Sequence, residues 1–223
     1  MKKFIGLILV IILGFFLYKG AVTLSQQTRN PGLNNYYNQN AVSDTGVANI
    51  VTSIVLTYRG FDTLGEVTVL FLAALGVGVL AFFKKNKKIK ESSFIIKTGY
   101  KILFPAILLY GIYIFVHGHL TPGGGFQGGA IIASAFLLQL IIGEYKMSSA
   151  WAALFEGFSG LVFILLGGAG LLWLGTFLGN KGLLPLGTVK MLFSAGIIPI
   201  IYVFIGIKVG FEMTGILNNL NKE

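Results

Sequence analysis

Asp62 and Glu66 stand four residues apart in Tyr58-Arg59-Gly60-Phe61-Asp62-Thr63-Leu64-Gly65-Glu66, where a long apolar stretch begins. On a helix that spacing puts both carboxylates on one face. An ionisable group at the centre of a membrane span costs about 2.5–3.5 kcal/mol on insertion scales, and such groups mark ion or proton routes. Asp62 also has a plainer role open to it, capping the helix start and complementing its dipole. His117 and His119 are the chain's two imidazoles, and unperturbed imidazoles titrate near neutrality, which suits proton exchange at a pore mouth. A structural role beside the following glycines is the alternative. Two histidines also hint at zinc, but no third ligand lies near them in sequence. Glu156 opens another apolar block and is a further candidate for a proton pathway. Glu144 reads as solvated, and Lys190, Lys208 and Glu212 read as interfacial anchors, the last two being spaced to pair.

The histidines lead into Leu120-Thr121-Pro122-Gly123-Gly124-Gly125-Phe126-Gln127-Gly128-Gly129-Ala130. Glycine loses the most conformational freedom on ordering, so a run this dense implies a required backbone shape. Pro122, Gly123, Gly124, Gly125, Phe126, Gly128 and Gly129 are therefore read as a structural turn. The run also satisfies G-x-G-x-x-G. The dinucleotide motif needs a preceding strand and an acid about 20 residues on, within a βαβ unit. Here apolar spans lie on both sides and the next acid is Glu144, so nucleotide binding is rejected.

The elements that must position these residues are membrane helices. Of 223 residues 55% are hydrophobic and only 11% charged, against a usual charged share of about 25%. Leu64–Phe83 holds one charge, Glu66, while Phe126–Gly143 and Gly157–Gly179 hold none. Each is long enough to cross a hydrocarbon core of about 30 Å. Further spans are expected at Phe4–Tyr18, Thr98–Val116 and Val189–Lys208, the first as a retained anchor rather than a cleaved signal. The fold class is thus all-α, a polytopic membrane protein of about six transmembrane helices. The net charge of +9 gathers in Lys84, Lys85, Lys87, Lys88, Lys90, Lys97 and Lys101. Under the positive-inside rule that loop is cytoplasmic, as are both termini, and the glycine turn faces outward. Between the first two spans, Gln26–Asp44 reads as an irregular loop. A short helix over Val47–Leu56, capped by Asp44 or Thr45, is expected at the interface or against a partner. Gly125, Gly129 and Ala133 recur every fourth residue, as do Ala74 and Gly78; such stripes allow close helix contact within the chain or with other subunits. The chain has no cysteine, hence no disulfide and no thiolate-held iron–sulfur cluster. No cofactor is expected, and any electron chemistry belongs to another chain.

Residues His117–Ala135 closely resemble the MnhB/MrpB subunit family of multisubunit cation/proton antiporters, a likeness that extends over about residues 92–223. Tyr58–Glu66 is similar to the C-terminal portion of the large MrpA subunit, which stands as a separate small subunit in related membrane-bound hydrogenases. The resemblance implies a fusion, with a two-helix segment at 1–90 and a four-helix domain at 91–223. It implies a noncatalytic subunit of a sodium/proton antiporter in a prokaryotic cell membrane. Its partners would be other membrane subunits, sodium ions, protons and the lipid bilayer, with no nucleic acid. The family's acidic pair matches Asp62 and Glu66, and its loop residues match Pro122 and Phe126. Two rival expectations stay open: an ion-translocating subunit of a hydrogenase-type respiratory complex, and a purely structural scaffold.

Overall fold

The computed structural model describes residues 31–82, 93–143 and 148–221, with scattered positions between 8 and 22. Most of the expected first span, the lysine-rich stretch and Glu144 lie outside the described residues. The chain forms two compact units, Met1–Tyr36 and Tyr37–Glu223. Among the described residues the architecture is all-helical, with one isolated bridge between Lys181 and Leu184. Helix α1 (Pro31–Thr45) is followed by a turn of helix at Ile50–Thr52, which widens into a π-helix at Ser53–Tyr58. Five helices of membrane-crossing length and hydropathy come next: α2 (Gly60–Phe82), α3 (Phe94–Val116), α4 (Gly125–Ile142), α5 (Ser149–Leu174) and α6 (Ile198–Asn221).

Helix α6 is the hub, packing against α2, α3, α4 and α5. Half of its most apolar window is buried, against 11% for α2 and for α3. The apolar residues those outer helices leave exposed, such as Leu72, Leu80, Ile95 and Ile102, suit lipid or neighbouring subunits. The small-residue stripe of α4 serves packing within the chain. A Cβ at Gly125 would stand 2.6 Å from the Cβ of Ile205, and one at Gly129 would stand 2.8 Å from the Gly206 carbonyl oxygen. Gly128 likewise abuts the Gly111 carbonyl of α3. Backbones this close gain dispersion contacts that bulkier side chains would block.

Three expectations are corrected. The segment Gln26–Asp44 is not wholly an irregular loop, because from Pro31 onward it is helix α1. Proline at the first helical position is favourable, and Gly46 at φ +70° stops the helix, donating its N–H to the Val42 carbonyl. The Tyr58 ring lies against Tyr37, with centroids 4.9 Å apart, and its hydroxyl donates to Asp44 at 2.7 Å, so tertiary contacts outweigh the weak helix propensity of the asparagines. The segment Val47–Leu56 is capped by Asn49, whose side chain accepts from the Val51 N–H. One side of it, with Val47 and Leu56, packs into the chain's core, while Val51 on the other side stays exposed. The last span starts nine residues later than expected. Residues 175–197 form an irregular segment with Leu178, Lys190 and Ala195 all at positive φ. Buried Asn180 holds that segment, donating to the Thr45 carbonyl at 2.8 Å and accepting from the Ile197 N–H at 2.9 Å.

Candidate functional site

The glycine turn is built by sterics and then stapled. Gly124 lies at φ +153°, a region that side chains exclude. At Gly118 a Cβ would meet the Tyr202 ring at 2.7 Å and the Gly124 Cα at 2.8 Å. From the other side, Asn49 donates its amide to the carbonyls of Gly118 and Thr121, both at 3.0 Å, and its main-chain N–H to the His119 carbonyl. Tyr202 donates to Thr52, and Thr52 donates on to the Gly118 carbonyl, at 2.8 and 2.7 Å. Pro122 is exposed, while Phe126 is half-buried and packs against the core. The run is therefore a fixed shape, with the carbonyls of Gly118, His119 and Thr121 just before it satisfied by residues 49–52.

Glu66 lies six residues into α2, roughly 9 Å along its axis. It lines a cleft of about 200 Å³ with Thr52, Thr63, Gly123, Gln127 and Tyr202. The structure thus brings Glu66 and the glycine turn, far apart in sequence, to one place. Asp62 is not in that cleft. It pairs with Arg59, both side chains being largely exposed, and lines a different cavity of about 500 Å³ with Gly60 and Phe177.

The two imidazoles have separate surroundings. His117 ends α3, half-buried, its ring stacked on Tyr113 at 4.2 Å and its Nδ1 beside the Tyr113 carbonyl. His119 is fully buried and neither ring nitrogen makes a hydrogen bond of good geometry. Burial lowers its pKa below the ordinary 6.5, although the nearby carbonyls of Met191 and Leu192 oppose that shift. A buried neutral imidazole under a glycine turn is better suited to packing than to rapid exchange with water.

Glu156 is half-buried on α5 and faces the residues expected as anchors. Lys208 and Glu212 form an ion pair, Nζ to Oε2 2.9 Å, with side chains 8% and 0% exposed. The late start of α6 puts them near its middle and not its end, which removes the anchoring role. Lys190 is exposed in the irregular segment before α6. Two sequence signals point this way: Pro199 is better tolerated in a first helical turn than in the interior of a span, and an i,i+4 charge pair sits inside an apolar run. Asn49, Thr52, Asn180 and Tyr202 were not foreseen, since a polar side chain that satisfies a distant carbonyl leaves no local pattern.

Four apolar helices around one central helix, with charges buried inside and a glycine turn closing one end, define a polytopic membrane subunit. Known proteins make the class specific. Residues 95–215 match the family model described as the domain related to the MnhB subunit of Na+/H+ antiporter, and residues 1–97 match that of MbhE, a subunit of MBH. The chain belongs to the MnhB-related family. An uncharacterized protein of Methanocaldococcus jannaschii is 31% identical, over 90% of this chain and 87% of its own. A chain in the structure of the membrane-bound sulfane sulfur reductase, an archaeal respiratory membrane complex, superposes with TM-score 0.79 at 39% identity, covering 100% of this chain and 99% of that one. A chain of the Mrp complex from Dietzia sp. DQ12-45-1b has the same fold, TM-score 0.71 at 23% identity, over 99% of this chain and 26% of its own length.

Proposed function

We propose that this chain is a membrane subunit of a Mrp-type module that exchanges sodium ions for protons, in which Glu66 lines the ion route. The observation that carries the reading is the cleft that the exposed Glu66 lines together with Gly123 and Gln127 of the glycine turn. A carboxylate on an apolar span is costly, and such groups mark ion or proton routes. The fixed turn gives it a preorganised wall, and the Tyr202–Thr52 hydroxyl pair supplies polar atoms beside it. The lysine-rich stretch after α2 supports a turn on the outer face of the membrane and termini in the cytoplasm. Exposed apolar faces on α2 and α3 suit docking against other membrane subunits, which would carry the remaining parts of the route.

The test is Glu66→Gln in the assembled complex, reconstituted in vesicles. Cation-dependent proton exchange should fall while the complex stays intact. Full exchange in an intact complex removes Glu66 from the mechanism.

A second reading has its own support: the 39% identity, over nearly the whole of both chains, to a chain of an archaeal respiratory membrane complex. In that reading the same subunit serves a module driven by a redox enzyme. Copurification in mild detergent separates the two, since iron–sulfur subunits would accompany the chain only in the second.

A further inference from the structure

Lys208 and Glu212 lie ten and fourteen residues into α6, roughly 15 and 21 Å along an axis of about 36 Å. The pair therefore straddles the middle of the span. Glu156, seven residues into the antiparallel α5, reaches a similar level from the opposite end. Lys208 crosses toward α5 over Gly160, where a Cβ would touch its Cδ and Cε at 3.5 Å. Its ammonium also lies 5.3 Å from the centroid of the Phe71 ring on α2. Of the two Glu212 oxygens, Oε2 holds Lys208, while Oε1 is buried with no hydrogen-bond partner.

Two cavities reach this cluster. One, of about 460 Å³, is lined by Glu212, Asn219 and the small residues Ala74 and Gly78 of α2. The other, of about 350 Å³, is lined by Lys208, Gly160 and Thr68. Phe71 and Glu156 line both, so each cavity borders the charged cluster. The small-residue pair Ala74 and Gly78, unlike the stripe of α4, leaves space rather than closing it.

Two carboxylates and one ammonium leave the cluster with a formal charge of −1 in the least polar part of the molecule. One added positive charge would neutralise it. A hard cation needs a shell of oxygen ligands, and the walls here are mostly hydrocarbon. Among the described residues no group of three His, Cys, Asp or Glu is placed to hold a metal ion. A proton needs one oxygen only, and Glu212 Oε1 is unclaimed.

We infer that Glu156, Lys208 and Glu212 form a mid-membrane relay that takes up and releases one proton between the two cavities. A proton from cavity water forms an O–H bond at Glu212, which frees the Lys208 ammonium to turn toward Glu156 while remaining charged. Transfer of that proton to Glu156, which lines both cavities, breaks the Glu212 O–H bond and restores the pair, and its release from Glu156 to water of the second cavity completes the cycle. The cycle moves one proton and needs no other reactant. The charges acting on Glu212 are those of Lys208 and Glu156. Helix α4 carries no ionisable side chain, α2 has Asp62 and Glu66 toward its first turns, and α3 has Lys97 and Lys101 toward its start. The inference deepens the antiport reading by adding a second site to the same subunit.

The test is a pH titration of the purified, fully assembled complex by infrared difference spectroscopy of protonated carboxyl groups. A carboxyl band should grow on acidification, vanish in Glu212→Gln and persist, shifted, in Glu212→Asp. Lys208→Met should move its titration to higher pH, because the ammonium favours the ionised carboxylate. A Glu212→Gln spectrum identical to wild type overturns the relay. If Glu212→Gln does not assemble, Glu156→Gln and the apolar double variant Lys208→Met/Glu212→Met replace it, the latter because apolar exchange of a whole buried pair is tolerated. A band unchanged in both overturns the relay equally. In vesicles, Glu212→Gln should lower cation-dependent proton exchange by roughly tenfold or more, and exchange at the wild-type rate refutes the inference. A wild-type complex without such exchange defeats the antiport reading alone, leaving the spectra to decide the relay.

Discussion

Replacing Gly129 by Ala should destabilise the chain, while the same change at Gly157, also in the interior of an apolar helix, should not. At Gly129 the new methyl would stand 2.8 Å from both the Gly206 carbonyl oxygen and the Val209 Cβ. Ordinary contact begins near 3.4 Å, so α4 and α6 must part by roughly half an ångström, against an interior packed like a crystal. Overpacking of this kind costs about 1–3 kcal/mol. Gly157 has nothing within 4 Å of the corresponding position, and there alanine gains up to about 1 kcal/mol of helix propensity. Since both variants share the propensity gain, their difference isolates the packing cost. At about 2–4 °C per kcal/mol for a chain of this size, Gly129→Ala should melt several degrees below Gly157→Ala in the same detergent. Thermal unfolding of the two purified variants, followed by circular dichroism, makes the comparison. A Gly129→Ala protein melting at or above Gly157→Ala would refute the close approach of α4 and α6.

Asn180→Ala should cost about 1–3 kcal/mol, because it orphans the buried Thr45 carbonyl and Ile197 N–H together. Limited proteolysis should then cut within residues 175–197 first, and unchanged resistance would count against that anchor. Stability should also depend on His119 below neutrality. The folded-state pKa is lowered, so the neutral ring's contribution is complete above about 6.5 and is lost as pH falls through the lowered value. Melting temperatures taken from about pH 8 to about pH 5 should fall more steeply for wild type than for His119→Gln, and parallel curves would contradict the burial.

Where hydrophobic length decides structure, as in α2 to α5, the spans can be read from sequence to within a few residues, except that α5 starts eight residues before the block that predicts it. The last span could not be placed this way, because residues 183–197 are apolar without being helical. Their shape depends on Asn180 bonding to carbonyl and amide groups elsewhere in the fold. The same limit governs the charged residues. Glu66 is conspicuous as a lone acid on an apolar stretch, whereas Glu212 reads as an anchor from sequence and is buried because α6 begins at Ile198. A displacement of one span by nine residues thus turns a surface pair into a buried one. His119 shows the converse: its residue type suggested proton exchange, and only the packing around it argues for a neutral, structural ring.

The stapling of the glycine turn by Asn49 and Thr52 bears on why these two regions share one polypeptide. The turn lies in the part that matches the MnhB-related family, and its staples lie in the part that matches the MbhE family. Were the two made as separate chains, each copy of the turn would have to find its staples by diffusion, at the concentration the membrane happens to supply. A covalent link replaces that search with a fixed local concentration. It also sets the ratio of the two parts at one to one, and the turn's backbone carbonyls meet their donors during the folding of a single molecule rather than at a later assembly step.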